Sequence, residues 1–265
     1  MVTPKLPPLP EGHARALAML SDDNVEFRDI AAVLDSDPAL TTAMLRAANS
    51  AHSAPSRRIV DSHIALVRLG ISESRRLVAG LALGQTFGEL SRSGIDTDEM
   101  WRHVVTCALL AEVTIADWSR RSEAFTAGLL HDIGRLAMAA AAPRRYAKVV
   151  ESVARGEDPL EAECRLFGAD HAQWGADVGE AFSLSAGIIE AIADHHDGAL
   201  SELSRSVYEA RHRTWDLGVG DGLTMPEESA VDERAQEWGP VHSMGGFDVL
   251  STRVEWYTSV IRQAS

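Results

Sequence analysis

The sequence predicts an all-α protein, and three observations predict it. Apolar residues recur at spacings of three and four along most of the chain, the pattern of helices that bury one face. Stretches alternating apolar with polar residues are scarce, so strands are nearly absent. The third observation is punctuation: aspartates stand where helix N-caps belong, twice with proline in the first helical position.

Taken in order, Asp37 and Pro38 open the helix PALTTAMLRAANSA. Residues 59–87, IVDSHIALVRLGISESRRLVAGLALGQTF, continue the helical pattern. Leu40, Met44, Leu45, Leu66, Leu69, Leu77, Val78 and Leu81 supply an apolar face for the N-terminal part. Asp96 with Glu99 resembles a capping box ahead of DEMWRHVVTCALLAEVTIADW. FTAGLLHDIGRLAM, residues 125–138, reads as the middle of a buried helix carrying one polar pair, His131 and Asp132. Asp158 and Pro159 open PLEAECRLF, which Gly168 closes. Residues 218–246 are rich in glycine, proline and acid and are expected to form a mobile loop, and 247–265 read as a closing amphipathic helix.

Composition narrows the function classes. A chain of 265 residues, 45% hydrophobic, can bury a sizeable core. A net charge of −14 repels phosphate backbones and anionic lipid, so general nucleic-acid binding and membrane binding are not expected. The N-terminus MVTPKLPPLPEGH has neither the basic start nor the apolar core of a signal peptide, and no run is long enough to span a bilayer. A cytoplasmic location is expected. The two cysteines, Cys107 and Cys164, lie far apart in helical patterns without zinc-finger spacing, which points to reduced thiols.

The histidines carry the chemical signal. His103, His131, His171 and the pair His195–His196 fall on separate helical segments. Imidazole and carboxylate suit iron, manganese or zinc, and helices can direct such ligands toward one point in a core. Adjacent residues such as His131 and Asp132 diverge by about 100° on a regular helix, so only an ion at that helix's edge could touch both. A lone histidine on an apolar face is more often a hydrogen-bonded core residue than a ligand; the constellation is what argues for a metal. His13, His52, His63, His212 and His242 read as surface or helix-end residues. Met44, Trp101, Phe125, Met138 and Trp174 read as core.

These residues carry a family resemblance. LPPLP before the first helix, DSDPALTTAMLRAANSA at 35–51 and the Ala-x-x-x-Leu-Gly helix within 59–87 resemble the HDOD family, signalling relatives of the HD-type metal-dependent phosphohydrolases. WRHVVTCALLAE, AFTAGLLHDIGRLAM, FGADHAQWGADV and IIEAIADHHDG are similar to the HD core. The resemblance, over about residues 6–215, implies a multi-helix fold: an N-terminal helical part (6–92) packed on an HD-like core (93–217), followed by the loop (218–246) and the C-terminal helix (247–265). It implies His103, His131, Asp132, His171, His195 and His196 as metal ligands, with iron, manganese or zinc as the ion.

For function, the resemblance implies a non-catalytic or vestigially metal-binding module in bacterial signal transduction, with unidentified signalling proteins as partners and a nucleotide as a candidate ligand. The alternative is a metal-dependent phosphohydrolase acting on a nucleotide or cyclic dinucleotide, in which Asp132 anchors metal and Arg135 meets a substrate phosphate. Two departures favour the first. HHDGALSELS lacks the Gly-Tyr-Pro stretch of catalytic relatives, and Arg211 stands where they supply a last bridging aspartate, with Asp197 or Glu209 as possible substitutes. A guanidinium cannot ligate a cation.

Overall fold

The computed structural model describes residues 10–22, 24–50, 58–87, 90–197, 201–226 and 233–262, and every regular element among them is helical. The chain divides into two units. One comprises the described residues between 10 and 87 together with 256–262, and the other those between 90 and 255. The last long helix therefore contributes to both.

The smaller unit contains α1 (Glu11–Ala18), α2 (Phe27–Ser36), α3 (Pro38–Ala48), α4 (Ser62–Leu69) and α5 (Ile71–Phe87). Asp37 caps α3 as its pattern predicts, accepting from the backbone N–H groups of Ala39 and Leu40. Of the eight apolar positions expected on its inner face, Leu40, Met44, Leu66, Leu77, Val78 and Leu81 are buried, and Leu45 and Leu69 are partly so. After α3, the Asn49 side chain works as a clasp. Its amide donates to the carbonyls of Leu45 and Ile59, each at 2.7 Å, and its oxygen accepts from the Ile59 N–H at 2.7 Å. His13 is buried rather than at the surface: its Nδ1 meets Thr86 Oγ1 and its Nε2 meets Gln85 Oε1, both at 3.0 Å. His52 lies outside the described residues, whereas His63, His212 and His242 are exposed as expected.

The larger unit runs through α6 (Thr97–Thr114), α7 (Arg121–Leu130), α8 (Ile133–Ala141), α9 (Pro143–Val153), α10 (Pro159–Phe167), α11 (His171–Ala181), α12 (Ala186–Asp194), α13 (Glu202–Asp216) and α14 (Gly239–Ser243), and takes in the start of α15 (Phe247–Arg262). Helix α6 packs against α7 and α13, and α11 against α8 and α12. Trp101, Phe125, Met138 and Trp174 are buried here. Two helix crossings are close enough to require glycine. A Cβ on Gly128 would press on the backbone of Ala108 in α6, and one on Gly134 would overlap the carbonyl of His171 and the N–H of Gly175 in α11.

The expected capping box at α6 forms only in half. Asp96 accepts from the N–H groups of Asp98 and Glu99, but Glu99 turns its carboxylate to the Gly220 N–H, and the Asp96 N–H donates to the Gly222 carbonyl. Part of the stretch expected as a mobile loop is thus tied to the start of α6, and α14 lies within it as well. Both cysteines are free thiols. No described helix is long and apolar enough to cross a membrane.

Candidate metal centre

The stretch 125–138 is two helices rather than one. Helix α7 ends at Leu130, α8 begins at Ile133, and Asp132 leaves helical geometry at φ −98°, ψ 16°. This break answers the divergence problem, because His131 and Asp132 no longer sit 100° apart on one cylinder and both face the same interior point. The second adjacent pair is placed alike: α12 ends at Asp194, and His195 is its C-cap. His171 is the first residue of α11, and His103 lies within α6.

All six expected ligand side chains converge. His103, His131, Asp132, His171 and His195 are at most 2% exposed, and His196 is largely buried. They form two groups, His103–His131–Asp132 and His171–His195–His196, and within each group the candidate ligand atoms lie within 4.8 Å of one another. Asp132 faces both. Its Oδ1 is 3.1 Å from His171 Nε2 and 3.4 Å from His195 Nε2, and its Oδ2 is 3.6 Å from His131 Nε2 and 3.9 Å from His103 Nε2.

Hydrogen bonds settle which nitrogens face inward. His131 Nδ1 lies 2.7 Å from the Gly128 carbonyl and His195 Nδ1 2.7 Å from the Ile192 carbonyl. A carbonyl only accepts, so each Nδ1 carries the proton and each neutral ring turns a bare Nε2 into the centre. His171 Nδ1 is held in the same way by Glu163 Oε2 at 2.6 Å, and Glu163 also takes the His171 backbone N–H at 2.9 Å and the Tyr146 hydroxyl at 2.7 Å. The result is a cluster of buried acceptors pointing at one another. His131 and His103 approach at 3.3 Å through their Nε2 atoms, and His171 and His195 at 3.2 Å. Asp132 Oδ1 finds no hydrogen bond of good geometry despite the 3.1 Å approach of His171. Acceptors so arranged call for a cation between them. Ligands bonded to one ion at about 2.0–2.2 Å stand roughly 3.0–3.6 Å apart, which is the spacing seen here.

Charge follows burial. Desolvation pushes the imidazoles of His103, His131, His195 and His196 toward the neutral form that metals bind. For His171 burial acts in the same direction, but the charge of Glu163 and the hydrogen bond to Asp132 prevail and raise it to about 9. Without a metal, a proton on His171 Nε2 is therefore the small cation beside Asp132. Burial opposes the charges of Asp132 and Glu163, yet Arg135 and the neighbouring histidines hold Asp132 well below the usual carboxylate range and Glu163 at about 2.

Three participants were not legible as such. Arg135 is fully buried and neutralised from three sides, by Asp132 at 3.3 Å, Asp221 at 3.0 Å and Glu163 at 3.7 Å. Asp221, from the Gly-Asp-Gly of the expected loop, is buried and also accepts from the Thr224 N–H and hydroxyl. Glu163 sits on α10 with 0% exposure. A charged residue in the middle of an apolar helix face is the signal that could have found it. Asp197 and Glu209, the expected substitutes for a bridging carboxylate, are exposed and outside the cluster. Arg211 instead lines a cavity of about 680 Å³ that also touches His103, Arg135, His196 and Asp221.

Comparison with known proteins follows the geometry. A family model for the HDOD domain matches residues 6–198. A solved HDOD domain protein of unknown function from Geobacter sulfurreducens superposes with a TM-score of 0.74 at 22% identity, covering 98% of this chain and 94% of that one. A protein from Marinobacter aquaeolei, described provisionally as a signal transduction protein, gives 0.70 at 24% identity, covering 98% of this chain and 58% of that one. At these identities the likeness is one of fold. An uncharacterized protein of Treponema pallidum is 25% identical over 197 residues, 72% of this chain but only 38% of that protein's length.

Proposed function

Because the chain belongs to the HDOD domain family, we propose that it is a signal-transduction module whose larger unit holds divalent metal at two histidine groups sharing Asp132, and that it works through contacts with signalling proteins rather than by turnover. The observation that carries the metal reading is Asp132 itself: a buried carboxylate that offers one oxygen to each group of bare imidazole nitrogens. The nitrogen-rich donor set suits iron, manganese or zinc better than magnesium or calcium. Bound there, a metal supplies Lewis acidity and a coordinated water.

The case against turnover is the shortage of carboxylates. Glu163 is engaged by His171 and Tyr146, Asp221 by Arg135 and Thr224, Asp158 by the N-terminus of α10, and Asp216 by Arg213. Among the described residues, Asp132 is the one carboxylate in either candidate group. Two-metal hydrolysis relies on bridging carboxylates to hold the ion pair, and here a single residue would serve both ions.

Metal analysis of protein purified without a histidine tag tests the reading. Stoichiometric iron, manganese or zinc is expected, and a content near zero after loading would sink it. A second reading, a phosphohydrolase acting on a nucleotide or cyclic dinucleotide, draws support from the cavity's access to His103 and His196, one from each group. No appreciable hydrolysis of cyclic dinucleotides is expected from manganese- or iron-loaded protein; steady turnover that vanishes in His131→Ala would promote the second reading.

Glu163 should act on metal through His171. Glu163→Gln keeps the side chain's size but removes the charge that orders the ring. Metal affinity is expected to fall about 10- to 100-fold, read by competition with a chelator; unchanged affinity would show that backbone packing alone orients His171.

A further inference from the structure

Arg211 differs from the other cations around the centre. Arg135 is surrounded by three carboxylates, and Arg213, two residues along α13, pairs with Asp216 at 2.9 Å. Among the described residues Arg211 makes no ion pair and no hydrogen bond, although it is partly buried and lines the cavity. In a chain of net charge −14, a guanidinium left without an anion inside a cavity is an unfilled recognition group. The imidazoles of His103 and His196 line the same cavity, so an anion lying against Arg211 can also reach one member of each histidine group.

Trp215 lies four residues beyond Arg211 on α13, hence on the same helix face, and also lines the cavity, with Met225. An indole surface next to an unpaired guanidinium suits a molecule with a flat ring and an anionic end. The volume falls in the range of small-molecule sites, about 300–1,000 Å³.

We infer that this cavity binds a small molecule carrying both a phosphoryl group and a flat ring, the phosphoryl oxygens lying among Arg211, His103 and His196 and the ring against Trp215. A tetrahedral oxyanion is favoured over a carboxylate because it has enough oxygens to engage the guanidinium fork and the histidine side at once. The inference deepens the metal reading, since it concerns the cavity bordering the same histidines.

The test is calorimetry on the full-length, metal-loaded chain. The probes are phenylphosphonate, which has no ester bond to cleave, methylphosphonate and benzoate. Phenylphosphonate is expected to bind more tightly than methylphosphonate or benzoate. Arg211→Ala should weaken both phosphonates by about 10- to 100-fold, the worth of a charged hydrogen bond, and Arg211→Lys should restore part of it. Trp215→Ala should weaken phenylphosphonate alone, to the level of methylphosphonate. Metal content, measured on each variant, should not change. Phosphonate binding unaffected by Arg211→Ala, or no binding to protein that holds metal, would overturn the inference. Benzoate binding as tight as phenylphosphonate would overturn the phosphoryl assignment. Arg211-dependent binding to a wild-type protein that takes up no metal would support this inference while removing the metal reading.

Discussion

Asp132→Asn is expected to release metal from both histidine groups while leaving the helices in place. Asparagine keeps the shape of the side chain but loses the charge that faces His171 and His195 through one oxygen and His131 and His103 through the other. The cost to the fold should be modest for a buried charge, about 1–3 kcal/mol, because Arg135 keeps Asp221 and Glu163 as partners. The larger effect is on linkage. Wild-type protein should gain about 2.7 kcal/mol of stability when free metal reaches a hundred times its dissociation constant, seen as a rise in Tm. Asp132→Asn should show no such rise. Wild-type stoichiometry in the variant would mean that the imidazoles alone hold the ions and that the shared carboxylate is not the organising group.

Gly134→Ala carries the second large effect. The added methyl group would overlap the His171 carbonyl and crowd the Gly175 N–H, both of them backbone atoms of α11 that cannot swing aside. Helices α8 and α11 must separate, which places the expected loss at about 3 kcal/mol, the upper end of overpacking costs. Since α8 follows Asp132 and α11 begins with His171, metal uptake should fall with stability. Gly239→Ala is the control: nothing lies within 4 Å of its added atom, and a change within about 0.5 kcal/mol is expected. Urea midpoints compare the two; equal, small shifts would show that the α8–α11 crossing yields more readily than its geometry implies.

The parts of the molecule legible in the sequence are those set by local rules. Asp37 with Pro38 and Asp158 with Pro159 mark helix starts through short-range hydrogen bonding, and Gly168 ends α10 at φ 86°, where a side chain would be strained. The helical class followed from spacing alone. What escaped depends on distant chain meeting distant chain. Asp221 looked like a loop residue because composition does not record that Arg135, eighty-six positions earlier, needs a third carboxylate. Glu163 looked like one acid among many on an amphipathic helix. The break between α7 and α8 was hidden because no glycine or proline marks it at 131–132; the chain leaves the helix there while packing both flanking helices in the core.

The two carbonyl contacts of His131 and His195 have an evolutionary consequence. Each ring satisfies, through its δ nitrogen, a carbonyl three residues back in the last turn of the preceding helix, a group that would otherwise be orphaned at a buried helix end. These histidines are thus helix caps as well as candidate ligands, and selection for folding alone would keep them in a lineage that had abandoned the metal. The two jobs fall on opposite nitrogens of one ring. Drift away from metal use would therefore be recorded first among residues with no capping duty, such as Asp132, whose side chain caps nothing, while His131 and His195 persisted as the fossil of the older site.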